Sequence, residues 1–312
     1  MPSMKAIKRR RLTVKNISQI TKAMNLVATS KLQKARAALT AIGEPVQATF
    51  DIVYNTVRHP KALEHPLMQQ RKDVKKIAYV VMTGNRGMAG GYNANVCKEF
   101  IRHAKAHGKD ALVIPVGVKG RDYLRRRGYH TMDVNIPAEN VSFADAHTLS
   151  DLLVSMYTTG QVDEIYVAYT KFVTILNLVP VVRKVLPIDP SYLRLVVADN
   201  LSDSPSSEEK WEDLGFFPRP ASNRATAAET EFEPNLEVVL ASVIPWYLSM
   251  FMYAAMASAQ LCEQAARMTS MDSATKNAAE IIEKLTLQYN RQRQSSITQE
   301  ITEIVSGANA LQ

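Results

Sequence analysis

The chain has 312 residues, 46% of them apolar but only 7% aromatic, and a formal net charge of +8. It can bury a sizeable core, and its alanine- and methionine-rich mix suits helix-on-helix packing better than an all-β design. The basic balance admits nucleic acid, an acidic membrane surface or an acidic protein as partner, and composition does not choose among them. Cys97 and Cys262 lie far apart with no ligand-like spacing, which predicts free thiols in a reducing compartment. No apolar run is expected to approach the ~18–20 residues that cross a bilayer.

The opening Met1-Pro2-Ser3-Met4-Lys5 offers no apolar segment for a secretory signal. Its Arg-rich, acid-free character, shared with transit peptides, is accounted for by a helix that continues well past it. The first acidic residue is Glu44, after ten Lys and Arg residues. Ile7, Val14, Ile17, Thr21, Met24, Ala28, Leu32, Ala35 and Leu39 recur mostly three or four apart, with neither Gly nor Pro between Pro2 and Gly43. This predicts a long helical segment over 1–59 with a narrow seam, the kind a coiled-coil partner needs. Gly43-Glu44-Pro45 should bend or interrupt it.

Residues 60–76, with Pro60, Pro66 and clustered charge, are expected as a linker. Over 77–201 the period changes. Strands are expected at 77–82, 111–116 and 163–169, helices at 93–107 and 143–157, and a further extended piece at 179–188. Strands alternating with helices predict a central α/β domain. Residues 202–234 are acidic and interrupted by Pro205, Pro218 and Pro220, and are expected as a flexible insertion with a sticky segment at Trp211, Phe216 and Phe217. From Asn235 to the end the helical period returns, with Pro245 expected to kink it. The expected stripe runs Leu248, Met252, Ala255, Ala259, Cys262, Ala266 and Thr269, then Ile282, Leu285 and Tyr289, then Ile297, Ile301, Ile304, Ala308 and Leu311. Roughly 75 helical residues at ~1.5 Å each are far more than a globular domain of this size needs.

Chemistry is hard to find. Thr83 to Gly91 follows a strand and precedes a helix, where a phosphate loop would sit, but it has neither Gly-x-x-x-x-Gly-Lys-Ser/Thr nor Gly-x-Gly-x-x-Gly spacing, so it reads as a structural turn. His103 and His107 are four apart without the Glu of a zincin helix. No catalytic, cofactor or metal constellation emerges. Nucleic acid is disfavoured because charge surrounds the first helix on all sides and residues 1–49 contain no aromatic.

Three landmarks carry a resemblance. Ser18 to Met24 resembles the N-terminal helix of the gamma subunits of F-type ATP synthases. Arg86-Gly87-Met88-Ala89-Gly90-Gly91-Tyr92-Asn93 is similar to that family's Arg-Gly-Leu-Cys-Gly-Gly turn, with Ala89 in place of Cys and Asn85 in place of Asp. Glu263 to Met268 and Ile297 to Ala308 resemble its C-terminal signature. The three cover nearly the whole chain in the family's order.

The resemblance implies an α/β fold: a long antiparallel, left-handed coiled coil of the terminal helices plus a central Rossmann-like domain. It implies a non-catalytic central-stalk rotor of a proton-translocating synthase, without cofactor. Expected partners are three alpha and three beta subunits, the epsilon subunit and the membrane c-ring, on the cytoplasmic face of a bacterial inner membrane. By residue match, Met24, Arg267, Gln294, Thr298 and Glu300 fall at ring contacts. Lys8, Arg9, Arg10, Arg11 and Lys15 would face an acidic loop of beta, and Ala308, Ala310 and Leu311 form an apolar bearing tip. The insertion lacks the two cysteines of chloroplast members, so thiol control is not expected. It could reach a neighbouring stalk or ring surface through Trp211 and Phe216. The alternatives are a nucleotide-binding α/β enzyme with helical arms and a coiled-coil nucleic-acid binder.

Overall fold

The computed structural model describes residues 4–57, 59–71, 73–108, 110–188, 232, 233 and 235–309. The expected insertion, with Trp211, Phe216 and Phe217, lies outside them except for Phe232 and Glu233. Ala310 and Leu311 of the expected tip also lie outside. The chain divides into two compact units, Met1–Thr29 with Arg267–Gln312, and Ser30–Ala266.

Helix α1 spans Met4–Val57 and runs through Gly43 and Pro45 without a break, contrary to the sequence expectation. A proline inside a helix removes one N–H bond and presses on the preceding turn, a cost of about 3 kcal/mol. Here Val46, Phe50, Val53 and Val57 are all buried around that turn, and each contributes roughly 1.5–3 kcal/mol. The Thr49 hydroxyl also donates to the Pro45 carbonyl at 2.8 Å. Packing outweighs the local defect.

The expected linker is a tucked connection. It starts with a 3₁₀ turn at Pro60–Glu64 and buries Ala62, Leu67 and Met68. Strand β1 (Lys76–Met82), helix α2 (Tyr92–His107), β2 (Asp110–Val116), α3 (Val118–Arg125), β3 (His130–Thr131), α4 (Phe143–Thr158), β4 (Glu164–Phe172) and β5 (Leu178–Leu186) follow. They build one sheet of order β3-β2-β1-β4-β5. All pairings are parallel except β4 with β5. Parallel central strands are covered on both faces and so read as continuous apolar runs. Ile77, Tyr79 and Val81 pack with Val96, Cys97 and Phe100 of α2 and Leu124 of α3. Ala78, Val80 and Met82 point the other way and are equally buried. Pro180 sits in the edge strand β5, where a missing N–H leaves no neighbour unpaired. Helix α3 and strand β3 were not expected. The eight residues of α3 bury only Gly120 and Leu124, too few for a helical period to register.

The last helix, α5, spans Leu236–Asn309 and runs through Pro245. Asn235 caps it, its side-chain oxygen accepting from the Val238 N–H at 2.9 Å. Contrary to the sequence expectation, an 18-residue window of α5 has mean hydropathy 1.7, enough to pass for a membrane span by length and composition alone. Half of that window is buried, and Met252, Ala254, Ala255, Met256, Ala259, Leu261 and Cys262 are buried as in a core helix. Within Ser30–Ala266, α5 packs beside α4 and α1, with Phe143 against Trp246 and Tyr253, and Phe50 edge-on to Tyr247 at 4.9 Å.

Asp163 ties the start of the sheet. It accepts from the Lys75 and Lys76 N–H groups at 2.8 and 2.9 Å and from Arg71 at 2.9 Å. Burial alone would raise its pKa, but these donors together hold it below the ordinary value of 3.8. A depressed carboxylate pKa contributes stability above the unfolded value and loses it as pH falls through the folded one. Asp163→Asn should therefore destabilise the fold by about 1–3 kcal/mol at neutral pH. In urea titrations the gap from the parent should close as pH drops below 3.8.

Candidate functional site

In the unit Met1–Thr29 with Arg267–Gln312, α1 turns Ile7, Arg11, Val14, Ser18, Thr21, Asn25 and Ala28 inward, all buried or half-buried. The steps alternate four and three. On α5 the inward residues are Met271, Thr275, Ala278, Ile282, Leu285, Tyr289, Gln292 and Ser296, with the same alternation. Asn25 donates through Nδ2 to the Met268 carbonyl at 2.9 Å. The Thr21 and Thr275 hydroxyls are 2.8 Å apart, and the Arg11 guanidinium lies 5.4 Å from the Tyr289 ring centre. Numbers rise on one helix as they fall on the other, so the pair is antiparallel. A strict seven-residue repeat winds such a pair left-handed. It also corrects the expected seam: Ser18 faces inward and Ile17 is 48% exposed.

The outer surface carries the expected charge. Lys8, Arg9, Arg10 and Lys15 are exposed, while Arg11 is half-buried over Tyr289. Gln294, Thr298 and Glu300 are exposed and Met24 is half-buried. Arg267 differs: it is 8% exposed and engaged within the chain. Ile297, Ile301 and Ile304 were expected to continue the seam, yet all three are exposed, as is Val305 beside them. Arg11 stands opposite Tyr289. The seven residues back to Met4 match the seven on to Ser296, so α5 outruns the described start of α1. Ala308 lies in this overhang.

The unit Ser30–Ala266 holds the other candidate. Strand order reverses between β1 and β4, and open α/β sheets take ligands in the crevice beyond the strand ends at such a point. The Thr83–Gly91 turn forms its rim. The Gly84 N–H donates to Asn93 Oδ1 at 2.8 Å, and the Val118 N–H to Asn85 Oδ1 at 3.1 Å. Gly117, at φ +100°, is forced by closeness: a Cβ there would stand 2.1 Å from the Thr83 carbonyl oxygen.

Helix α5 occupies the crevice. The Tyr92 hydroxyl donates to the Ala259 carbonyl at 2.9 Å. Ser258 Oγ and Cys262 Sγ donate to the Thr170 carbonyl of β4 at 3.2 and 3.4 Å. Ala89, Tyr92, Cys262 and Ala266 pack together. The space left among Met82, Thr83, Tyr92, Met256, Ala259 and Glu263 is about 10 Å³, no more than one water. A nucleotide does not fit.

The histidine pair is also accounted for. His103 Nδ1 lies 3.1 Å from the Tyr79 hydroxyl, and the two imidazoles stack at 4.2 Å. Burial, with His107 and Arg102 nearby, pushes the His103 pKa down to about 4. Among the described residues no three His, Cys, Asp or Glu side chains group to hold a metal.

Residue patterns missed Glu263 and Gly84. Glu263 is 1% exposed, and it is the first charged residue after the 25 uncharged ones at 238–262. That return of charge inside an apolar helix was the available signal.

A family model described as ATP synthase matches residues 3–311. The "ATP synthase gamma chain" of Desulforamulus reducens is 37% identical over 313 residues, covering 100% of both chains. That of Lachnoclostridium phytofermentans is 39% identical over 312 residues, again covering 100% of each. Among solved structures, one chain of the Euglena gracilis mitochondrial ATP synthase (OSCP/F1/c-ring) shares the fold. Its TM-score is 0.59 at 15% identity, over 99% of this chain and 94% of that one. A chain from the Tetrahymena thermophila central stalk/c-ring structure gives 0.54 at 22%, over 82% and 99%.

Both cysteines are buried, which pushes the Cys97 thiol up to about 12 and raises that of Cys262 as well. The thiolate is the reactive form. A maleimide should therefore label neither thiol in the native chain and both after denaturation, as read by mass spectrometry.

Proposed function

This chain belongs to the ATP synthase gamma-chain family, and on that premise we propose that it is the central-stalk rotor of an F-type ATP synthase. It couples ion flow through the membrane sector to conformational change at the catalytic sites of a ring of three alpha and three beta subunits. Its other partners are the epsilon subunit and the c-ring, and it works on the cytoplasmic face of a bacterial inner membrane.

The carrying observation is the antiparallel pair with its inward seven-residue seam. A pair that satisfies its own apolar stripe leaves the outer surface free to pass neighbours without being fixed to them. Lys8, Arg9, Arg10 and Lys15 stand on that surface, with Arg11 half-buried beside them. Against an acidic loop of beta, exposed ion pairs contribute only about 0–1 kcal/mol each, so they break and reform as the shaft turns. Gln294, Thr298 and Glu300 supply further ring contacts, Met24 a partial one, and Arg267 only what little of its side chain is exposed. The apolar overhang from Ile297 to Val305, with Ala308, suits a bearing.

The gamma chain makes and breaks no covalent bond itself. Occupation of the sheet crevice by α5 supports this role over a nucleotide-binding enzyme.

Co-purification from native membranes tests the assignment. The chain should emerge with alpha, beta and c subunits, and its isolation alone would sink the proposal. Isothermal titration of the purified chain with ATP should show no tight binding. Neutralising any one of Lys8, Arg9, Arg10 and Lys15 should change ATP hydrolysis by less than about fivefold, because 1 kcal/mol corresponds to a factor of roughly five.

A further inference from the structure

The crevice at the β1/β4 switch point is filled by a helix whose seating is keyed by shape and by hydrogen bonds. The Glu263 carboxylate stands where a Cβ at position 84 would be, with Cδ at 2.6 Å and its oxygens at 2.7 and 2.9 Å from that point. A Cβ at position 84 would displace the Glu263 carboxylate from this notch. One turn earlier the Ala259 carbonyl is held by the Tyr92 hydroxyl, and Ser258 and Cys262 hold the Thr170 carbonyl. Gly84 and Tyr92 follow β1, and Thr170 lies in β4, so α5 is gripped from both strands that flank the crevice. The same rim reaches α1: Lys31 and Arg86 share Glu139 at 3.5 and 3.6 Å.

Interdigitated apolar side chains already resist a roll of the helix about its axis, and the notch and hydrogen bonds add directional stops. Here a roll would withdraw Glu263 from its notch and break the buried hydrogen bond from the Tyr92 hydroxyl to the Ala259 carbonyl. Breaking a buried hydrogen bond costs stability, and this resists the roll.

We propose that Gly84, Tyr92 and Glu263 form a torque clamp, positioning residues that lock α5 against rotation in the sheet crevice so that turning of the shaft turns the α/β domain. The proposal rests on the rotor function above and names where, in this chain, torque passes between helix and sheet.

The test uses inverted membrane vesicles carrying the whole synthase, with ATP hydrolysis and ATP-driven uptake of the coupling ion measured together. The parent chain must first co-purify with alpha, beta and c subunits. If it does not, the rotor assignment fails by itself, before any variant is compared. In Gly84→Ala the added methyl meets Glu263, and the uptake-to-hydrolysis ratio should fall to less than half of the parent value while hydrolysis persists. Tyr92→Phe keeps the ring and deletes one hydrogen bond, so it should lower the ratio in the same direction by less. A purely structural role would reduce the amount of complex, cutting uptake and hydrolysis in proportion and leaving the ratio alone. An unchanged ratio in both variants overturns the clamp. Should Gly84→Ala fail to assemble, Tyr92→Phe decides: a lowered ratio supports the clamp and an unchanged one overturns it.

Discussion

A helix buried on every side has nowhere to put an unpaired charge. Residues 247–262 of α5, every one buried or half-buried, obey that constraint and contain no Asp, Glu, Lys or Arg. The rest of the unit Ser30–Ala266 is arranged around it. The sheet offers α5 the crevice that a doubly wound fold ordinarily leaves for a ligand. Helix α4 covers it with Phe143, and α1 meets it through Phe50. In the turn at 83–91, Gly84 meets a helix side chain, Glu263, and Gly90 takes a left-handed φ of +55°. An architecture associated with nucleotide binding thus serves as a mount.

In the unit Met1–Thr29 with Arg267–Gln312 the same two helices are packed on a different principle. Contact is confined to one seam, and the seam is partly polar: Ser18, Thr21 and Asn25 of α1 and Thr275 of α5 turn into it. Such residues contribute less burial than leucines would, at roughly 25 cal/mol per Å². The hydrogen bonds of Asn25 and Thr21 across the seam give register in exchange, since a shift along the axis would leave them unpaired.

Much of this was legible in the sequence. The central strands announced themselves because parallel strands covered on both faces are continuous apolar runs, as at Ile77–Met82. The long helices followed from period and from the lack of Gly and Pro. What stayed hidden depended on tertiary context. Pro45 looked like a break because the buried Val46, Phe50 and Val53 that override it cannot be weighed locally. Ile17 was placed in the seam because it is apolar and three residues after Val14, whereas Ser18, four after Val14, carries no apolar signal. Ile297, Ile301 and Ile304 continued the apolar stripe faithfully, but a stripe does not say where the partner helix stops. Glu263 carried a charge signal without indicating that Gly84 was what it met.

The overhang beyond Ser296 bears on how the chain must be made. Ile297, Ile301, Ile304 and Val305 lie exposed along one end of α5. Apolar side chains of this size forgo about 1.5–3 kcal/mol each when left in water. A free copy is therefore a sticky one, prone to self-association through that end. Soluble yield depends on stoichiometry: chains synthesised beyond the number of sleeves available to cover them have only each other to bind.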